Sequence, residues 1–280
     1  EAEAINQERF AQRASFSDGW HVPRVYHSTR RIIEMEFVDR AAGINSAFGT
    51  RGRKTVAARR KVGRAFLHTV ISHLFIYQEF HGDLHPGNIL VANSDQLYLI
   101  DWGNTVDIST IWKPALKYLQ AVLAGDADAI VEAVVELGTD RKQMEACRKE
   151  LAKHIKQVLA EADVEPLGYD FLLTLYKEGQ QGLVSRLELA INLATALSRQ
   201  GIVVRSDYMH LTRSLTAMVG SYLSIYRNLS RLVLVQDIVQ VLVQFPALES
   251  LRQAAGYRRK VLRQLSLAGP RTLLPVLSEV

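Results

Sequence analysis

The sequence runs to 280 residues, 48% of them apolar, with a formal net charge of +5, which is enough apolar material for a sizeable core and too little charge bias for a disordered chain. Its single cysteine, Cys147, excludes an intrachain disulfide and a cysteine metal cluster, and a reducing compartment fits that usage. The longest apolar stretches, such as LVLVQDIVQVLVQF from Leu232, carry Gln or Asp every few residues and fall short of the roughly 20 apolar residues that cross a bilayer, so neither a transmembrane helix nor a signal peptide is expected.

The chain opens on EAEAINQERFAQ, charged and spaced as a helix, with Glu rather than Met in first place, which reads as a fragment of something longer. VPRVYH and RRIIEMEFVDR follow as two short β-branched and aromatic runs, expected to be strands. From about Lys54 to Tyr77 the apolar residues take helical spacing, and this long helix delivers the chain to His81. HGDLHPGN, the run ILVA, the turn NSDQ and the run LYLI ending at Asp101 then read as a loop and a β-hairpin. Helices are expected near 113–124, 126–137, 140–162, 170–178, 183–199, 207–228, 232–244 and 248–267, with GDAD and SD as starts and Gly138 and Gly201 as stops.

Charge is unevenly distributed. No carboxylate lies between Asp39 and Glu79, while Arg51, Arg53, Lys54, Arg59, Arg60, Lys61 and Arg64 all fall in that gap. Arg252, Arg258, Arg259, Lys260 and Arg263 form a second basic group. Such clusters attract phosphate-bearing partners, anionic lipid or nucleic acid, and equally suit a solvated helix face.

The segment that carries chemistry is FHGDLHPGNILVANSDQLYLIDWGN, from Phe80 to Asn104. Asp83 and Asn88 stand five positions apart in a loop with Pro86 and Gly87, and Asp101 follows thirteen residues later across the hairpin. That is the kinase order of catalytic-loop Asp, metal-binding Asn, hairpin and metal-binding Asp before Gly. Magnesium is a hard cation that takes oxygen ligands, and a transferred γ-phosphate carries charge that a metal neutralises. On this reading Asp101 and Asn88 bind magnesium beside ATP, and Asp83 accepts a hydroxyl proton or orients the acceptor. Two other readings are open: Asp and Asn as turn caps, and His81, Asp83 and His85 as a metal site on one side of an extended chain. His81 fits best as a buried histidine bonded to the loop backbone.

VPRVY, RIIEMEFVDR, the long helix, FHGDLHPGNILV, LYLIDWGN and GDADAIVEAVVELG together resemble the UbiB (AarF) family of atypical kinases, over roughly residues 1 to 230. The resemblance implies an α+β, mainly α chain: a protein-kinase-like C-lobe with a short upper-lobe strand remnant and a helical C-terminal extension. It divides the chain into an N-lobe and hinge remnant at 1–40, a C-lobe at 41–230 and the extension at 231–280. It further implies ATP and magnesium binding and support of ubiquinone (isoprenoid-quinone) biosynthesis, in the cytoplasm and peripheral at a membrane. Anionic lipid, quinone intermediates and quinone-biosynthesis proteins become candidate partners, and nucleic acid is disfavoured. By the same match Met35 sits at the back of the nucleotide pocket, the backbone of Glu36, Phe37 and Val38 faces adenine, and Glu3 pairs with the ATP-binding lysine. Gly82 and Trp102 stand where the family usually has Ala or Gly and Phe. The family's K-x-G-Q motif, Ala-rich loop and lysine are missing from these residues, so the chain alone is expected to be inactive. The alternatives are a small-molecule phosphotransferase of the aminoglycoside phosphotransferase or choline kinase type, which shares the HGDLHPGN and IDWG wording, and a non-catalytic lipid-binding regulator.

Overall fold

The computed structural model describes residues 1–14, 19–49, 54–161 and 205–247, with positions 177, 189, 192, 193 and 250. The opening helix, α1 (Ala2–Ala14), buries Ala4, Gln7, Phe10 and Ala14, the spacing of one helical face. Among the described residues there are eight short strands: β1 (Trp20–His21), β2 (Val25–Ser28), β3 (Ile33–Met35), β4 (Ala42–Gly43), β5 (Glu79–His81), β6 (Ile89–Val91), β7 (Leu97–Leu99) and β8 (Thr105–Asp107). They form a four-stranded sheet in the order β1-β7-β6-β4 and two antiparallel ribbons, β2-β3 and β5-β8. The expected strand RRIIEMEFVDR contracts to Ile33–Met35, because its pairing to β2 slips between Val25 and His27 and ends at the bond from Glu36 N–H to Arg24 O.

Helices make up most of the described chain, and the mainly α, kinase-like α+β class holds. They are α2 (Ile44–Phe48), α3 (Val56–Ser72), α4 (Trp112–Ala124), α5 (Ala127–Leu137), α6 (Arg141–Ala146), α7 (Arg148–Glu161), α8 (Ser206–Ile225) and α9 over 231–247. Thr55 caps α3 by accepting from Ala58 N–H, and a π-helical turn at His73–Tyr77 ends it at Gln78, whose left-handed φ of 51° redirects the chain into β5. Asp126 starts α5 as expected from GDAD, accepting from Asp128 and Ala129 N–H, and Gly138 ends it. The single helix expected over 140–162 is two: Cys147, at φ −91° and ψ 4°, breaks it so that Arg148 on α7 reaches Glu132 on α5 and Glu145 on α6. Apart from the helical positions 177, 189, 192, 193 and 250, the helices expected at 170–178, 183–199 and 248–267 lie outside the described residues, as do the stop at Gly201, Arg51, Arg53 and the second basic group.

One apolar core runs from Phe10 to Leu234, with Trp102 among its largest fully buried side chains. Around Trp102 gather Phe10, stacked at 4.2 Å, His81 at 4.7 Å, Trp20 at 6.4 Å and His73 at 6.5 Å between ring centroids. Aromatic burial of this kind supplies both area and pair geometry. The acid-free helix is not a bare basic face. Arg59 donates to Arg227 O and Phe48 O, Lys61 to Ser94 O, and Lys54 to Asp95 and Ala92 O. Arg60 and Arg64 converge on the fully buried Asp237 of α9, which Tyr226 also meets at 2.8 Å. Burial alone would raise the Asp237 pKa, but the hydrogen bonds from Arg60, Tyr226 and Arg64 overcome it and hold the carboxylate below its usual range. No described helix is long and apolar enough to cross a membrane.

Candidate active site

The loop Gly82–Asn88 is shaped first by local chemistry. Pro86 starts a 3-10 turn over Pro86–Asn88, where its fixed φ suits a first turn, and the His85 ring caps that turn by accepting from Gly87 N–H at 2.9 Å. Asn88 N–H returns to His85 O, and Asn88 is 6% exposed with its Nδ2 donating to Asp83 O at 3.0 Å. That bond commits the amide nitrogen to the loop, which leaves Oδ1 as the atom that can take a hard cation. The turn feeds β6, and the β6-β7 hairpin, closed through the left-handed Asp95, returns the chain to Asp101.

His81 is fully buried and uses both ring nitrogens: Nδ1 accepts from Asp83 N–H at 3.1 Å and Nε2 donates to Ile100 O at 2.9 Å. The first bond requires the neutral Nε2–H tautomer. Burial lowers the His81 pKa, against the bond to Ile100 O and the charges of Asp101 and Asp83, and so favours that neutral form. His81 has no lone pair left for a metal, which overturns the reading of His81, Asp83 and His85 as a metal site; among the described residues no cluster of three His, Cys, Asp or Glu suits one. The Asp83 carboxylate stays half-exposed, 3.9 Å from His85 Nε2.

Asp101 adopts φ 63°, a left-handed conformation that costs of order 1 kcal/mol in a non-glycine residue and that Asp tolerates better than most. The surroundings enforce it: Trp102 is buried with its Nε1–H on Leu99 O, and Asn6 of α1 donates to Trp102 O, each at 3.1 Å. A side-chain carbon at Gly103 would lie 3.5 Å from Asp101 Oδ1 and 3.7 Å from Glu3 Oε2, so those two carboxylates flank one point. The same helix reaches the strand remnant, for the buried Gln7 donates to Pro23 O at 2.7 Å and to Met35 Sδ at 3.5 Å. Met35 is thus held at the C-terminal end of β3 against Gln7, which lies one helical turn along α1 from Glu3. Glu36 N–H is spent on Arg24 O, and Phe37 is 85% exposed, so within the expected adenine-facing segment the Glu36 N–H is not available to a ligand.

Two groups of consequence escape a sequence reading. Ser214 and Ser221 of α8 donate to Gly82 O and Leu84 O, at 2.6 and 2.7 Å. No local signal marks them, since each acts 132 or more positions away.

Residues 1–134 match the ABC1 atypical kinase-like domain. That match covers the first part of the stretch, roughly residues 1 to 230, over which the resemblance was expected. The chain is 31% identical over 145 residues to the chloroplastic protein named activity of BC1 complex kinase 8 of Arabidopsis thaliana, covering 49% of this chain and 18% of that protein. It is 31% identical over 109 residues to the probable serine/threonine-protein kinase abkD of Dictyostelium discoideum, covering 36% of this chain and 15% of that one. A protein of Paramecium bursaria Chlorella virus 1 named as a putative ABC transporter is 25% identical over 192 residues, 65% of this chain and 37% of its own length. The chain therefore spans well under half the length of these relatives.

Proposed function

We propose, from the premise that residues 1–134 form an ABC1 atypical kinase-like domain, that the protein is an ATP- and magnesium-dependent atypical phosphotransferase or ATPase acting through Asp83, Asn88 and Asp101. The observation that carries this reading is the pairing of a buried Asn88, whose amide nitrogen is committed to Asp83 O, with an Asp101 carboxylate held open in a left-handed turn. One amide oxygen and one carboxylate match the hard-oxygen preference of magnesium, which would neutralise charge on the β- and γ-phosphates. Asp83 accepts the proton of an incoming hydroxyl or orients it, and the neutral His81 holds the Asp83 backbone. Met35 and the backbone from Glu36 to Val38 line the nucleotide side, with Glu36 contributing its carbonyl rather than its N–H.

The finer reading follows the UbiB resemblance: a role supporting ubiquinone (isoprenoid-quinone) biosynthesis, peripheral at a membrane, with anionic lipid or quinone intermediates as partners. The internal commitments of Arg59, Arg60 and Arg64 move any lipid contact away from that face of α3.

ATP hydrolysis by the full-length protein, wild type against Asp101→Asn, with and without anionic liposomes, tests both levels. Magnesium-dependent turnover that the substitution removes is expected, with liposomes raising it. Turnover retained in Asp101→Asn overturns the metal assignment, and turnover indifferent to liposomes overturns the membrane setting.

A further inference from the structure

We infer that Ser214 and Ser221 of α8 are positioning residues for Asp83, so that the working site is completed by a helix lying some eighty positions beyond the residues that match the ABC1 domain. The inference rests on the assignment of Asp83 above and names the device that orients it.

The two serines stand seven residues apart, two helical turns on one face, and are 1% and 0% exposed. Their hydroxyls donate to the carbonyls on either side of Asp83, those of Gly82 and Leu84. Ser214 also lies 2.7 Å from His210 O, the usual habit of a helical serine, so its single proton is shared. For Ser221 the bond to Leu84 O is the one hydrogen bond of its hydroxyl among the described residues. The rest of this short backbone is held as well. Gly82 N–H goes to Asn104 O at 2.7 Å, Asp83 N–H to His81 Nδ1 and Asp83 O to Asn88 Nδ2. Every backbone polar group from Gly82 N to Asp83 O thus has a partner, while the Asp83 carboxylate is 54% exposed. A backbone tied on all sides with a carboxylate left open is what a pre-oriented base requires, since misplacement by about 1 Å can cost on the order of 100-fold in rate. α8 can do this because it packs against the Pro86–Asn88 turn and β8 at once.

The test uses the full-length protein with magnesium-ATP. Ser221→Ala is expected to lower kcat on the order of 10-fold, leave nucleotide affinity within about twofold because Asn88 and Asp101 are untouched, and speed amide exchange across 82–84. Ser221→Thr, which keeps the donor, restores kcat. Wild-type kcat in Ser221→Ala and in the Ser214→Ala/Ser221→Ala pair overturns the inference. So does a fall in nucleotide affinity as large as the fall in kcat, which marks a merely structural role. If the wild type and Asp101→Asn are equally silent, the phosphotransfer reading fails, and the exchange rates decide the anchoring alone: unchanged rates in Ser221→Ala overturn it.

Discussion

The two motifs of the site are held from opposite sides. Asp101, Trp102 and Gly103 lean on α1: Phe10 stacks on Trp102, Asn6 donates to its carbonyl, and Glu3 stands across Gly103 from Asp101. Gly82, Asp83 and Leu84 lean on α8 through Ser214 and Ser221. One anchor is mostly apolar stacking, which tolerates sliding; the other is directional hydrogen bonding, which sets the position of a backbone. Metal and nucleotide affinity should therefore follow the state of α1, and the rate of the chemical step that of α8.

The largest effect should come from the apolar anchor. Phe10→Ala removes a fully buried ring and is expected to cost about 3–5 kcal/mol in urea unfolding, with magnesium-ATP affinity falling along with stability. Unchanged affinity in the surviving folded fraction would break the division between the two anchors.

Next comes the trailing side. Asp237→Ala leaves Tyr226 and the two arginines of α3 without their shared acceptor and should cost about 2 kcal/mol or more in the same measurement. Its effect on nucleotide affinity should be small, which sharpens the comparison.

A comparable effect is expected from acid. Burial, then the neighbouring charge of Arg13, lowers the His73 pKa to about 3, and neither ring nitrogen has a hydrogen-bond partner among the described residues. The unfolded chain binds a proton below about pH 6.5 that the folded one refuses, so stability rises with pH between about 3 and 6.5. From pH 6.5 to pH 5 this single group should remove up to about 2 kcal/mol. His73→Phe should flatten that part of the pH profile and raise stability at pH 5; a profile identical to wild type would show that the ring is protonated in the fold.

The smallest is Asn6→Ala, about 1 kcal/mol from one lost hydrogen bond. It should weaken magnesium-ATP binding several-fold without slowing the bound complex, the mirror of Ser221→Ala. Equal losses in binding and rate would merge the two anchors into one.

Much of the local geometry of the candidate site was legible because its parts are local. Pro86 and Gly87 announce a turn, His85 caps it within two residues, and the alternation of ILV and LYL around a polar turn announces the hairpin. Helical spacing marked α1, α3, α4, α5 and α8, and Asp126 and Gly138 bounded α5 as expected. The break at Cys147 was not legible, since its neighbours favour helix and only the reach of Arg148 toward Glu132 on α5 and Glu145 on α6 interrupts it. Nor was the fate of the basic helix. Its missing carboxylates suggested an outward field, yet the acceptor for Arg60 and Arg64 arrives from Asp237, more than 170 positions away.

By itself the sequence determined which atoms the proposed site has to offer, a carboxylate at 83, an amide at 88 and a carboxylate at 101, and the local turns that carry them, because turn chemistry and periodicity are written within a few neighbouring residues. Tertiary structure alone decided how those atoms are aimed: the Nε2–H tautomer of His81, the left-handed Asp101 beside Glu3, the spent N–H of Glu36, and the two serines of α8 on the loop carbonyls. Those choices depend on buried polar groups finding partners across the fold, and only packing brings such partners together.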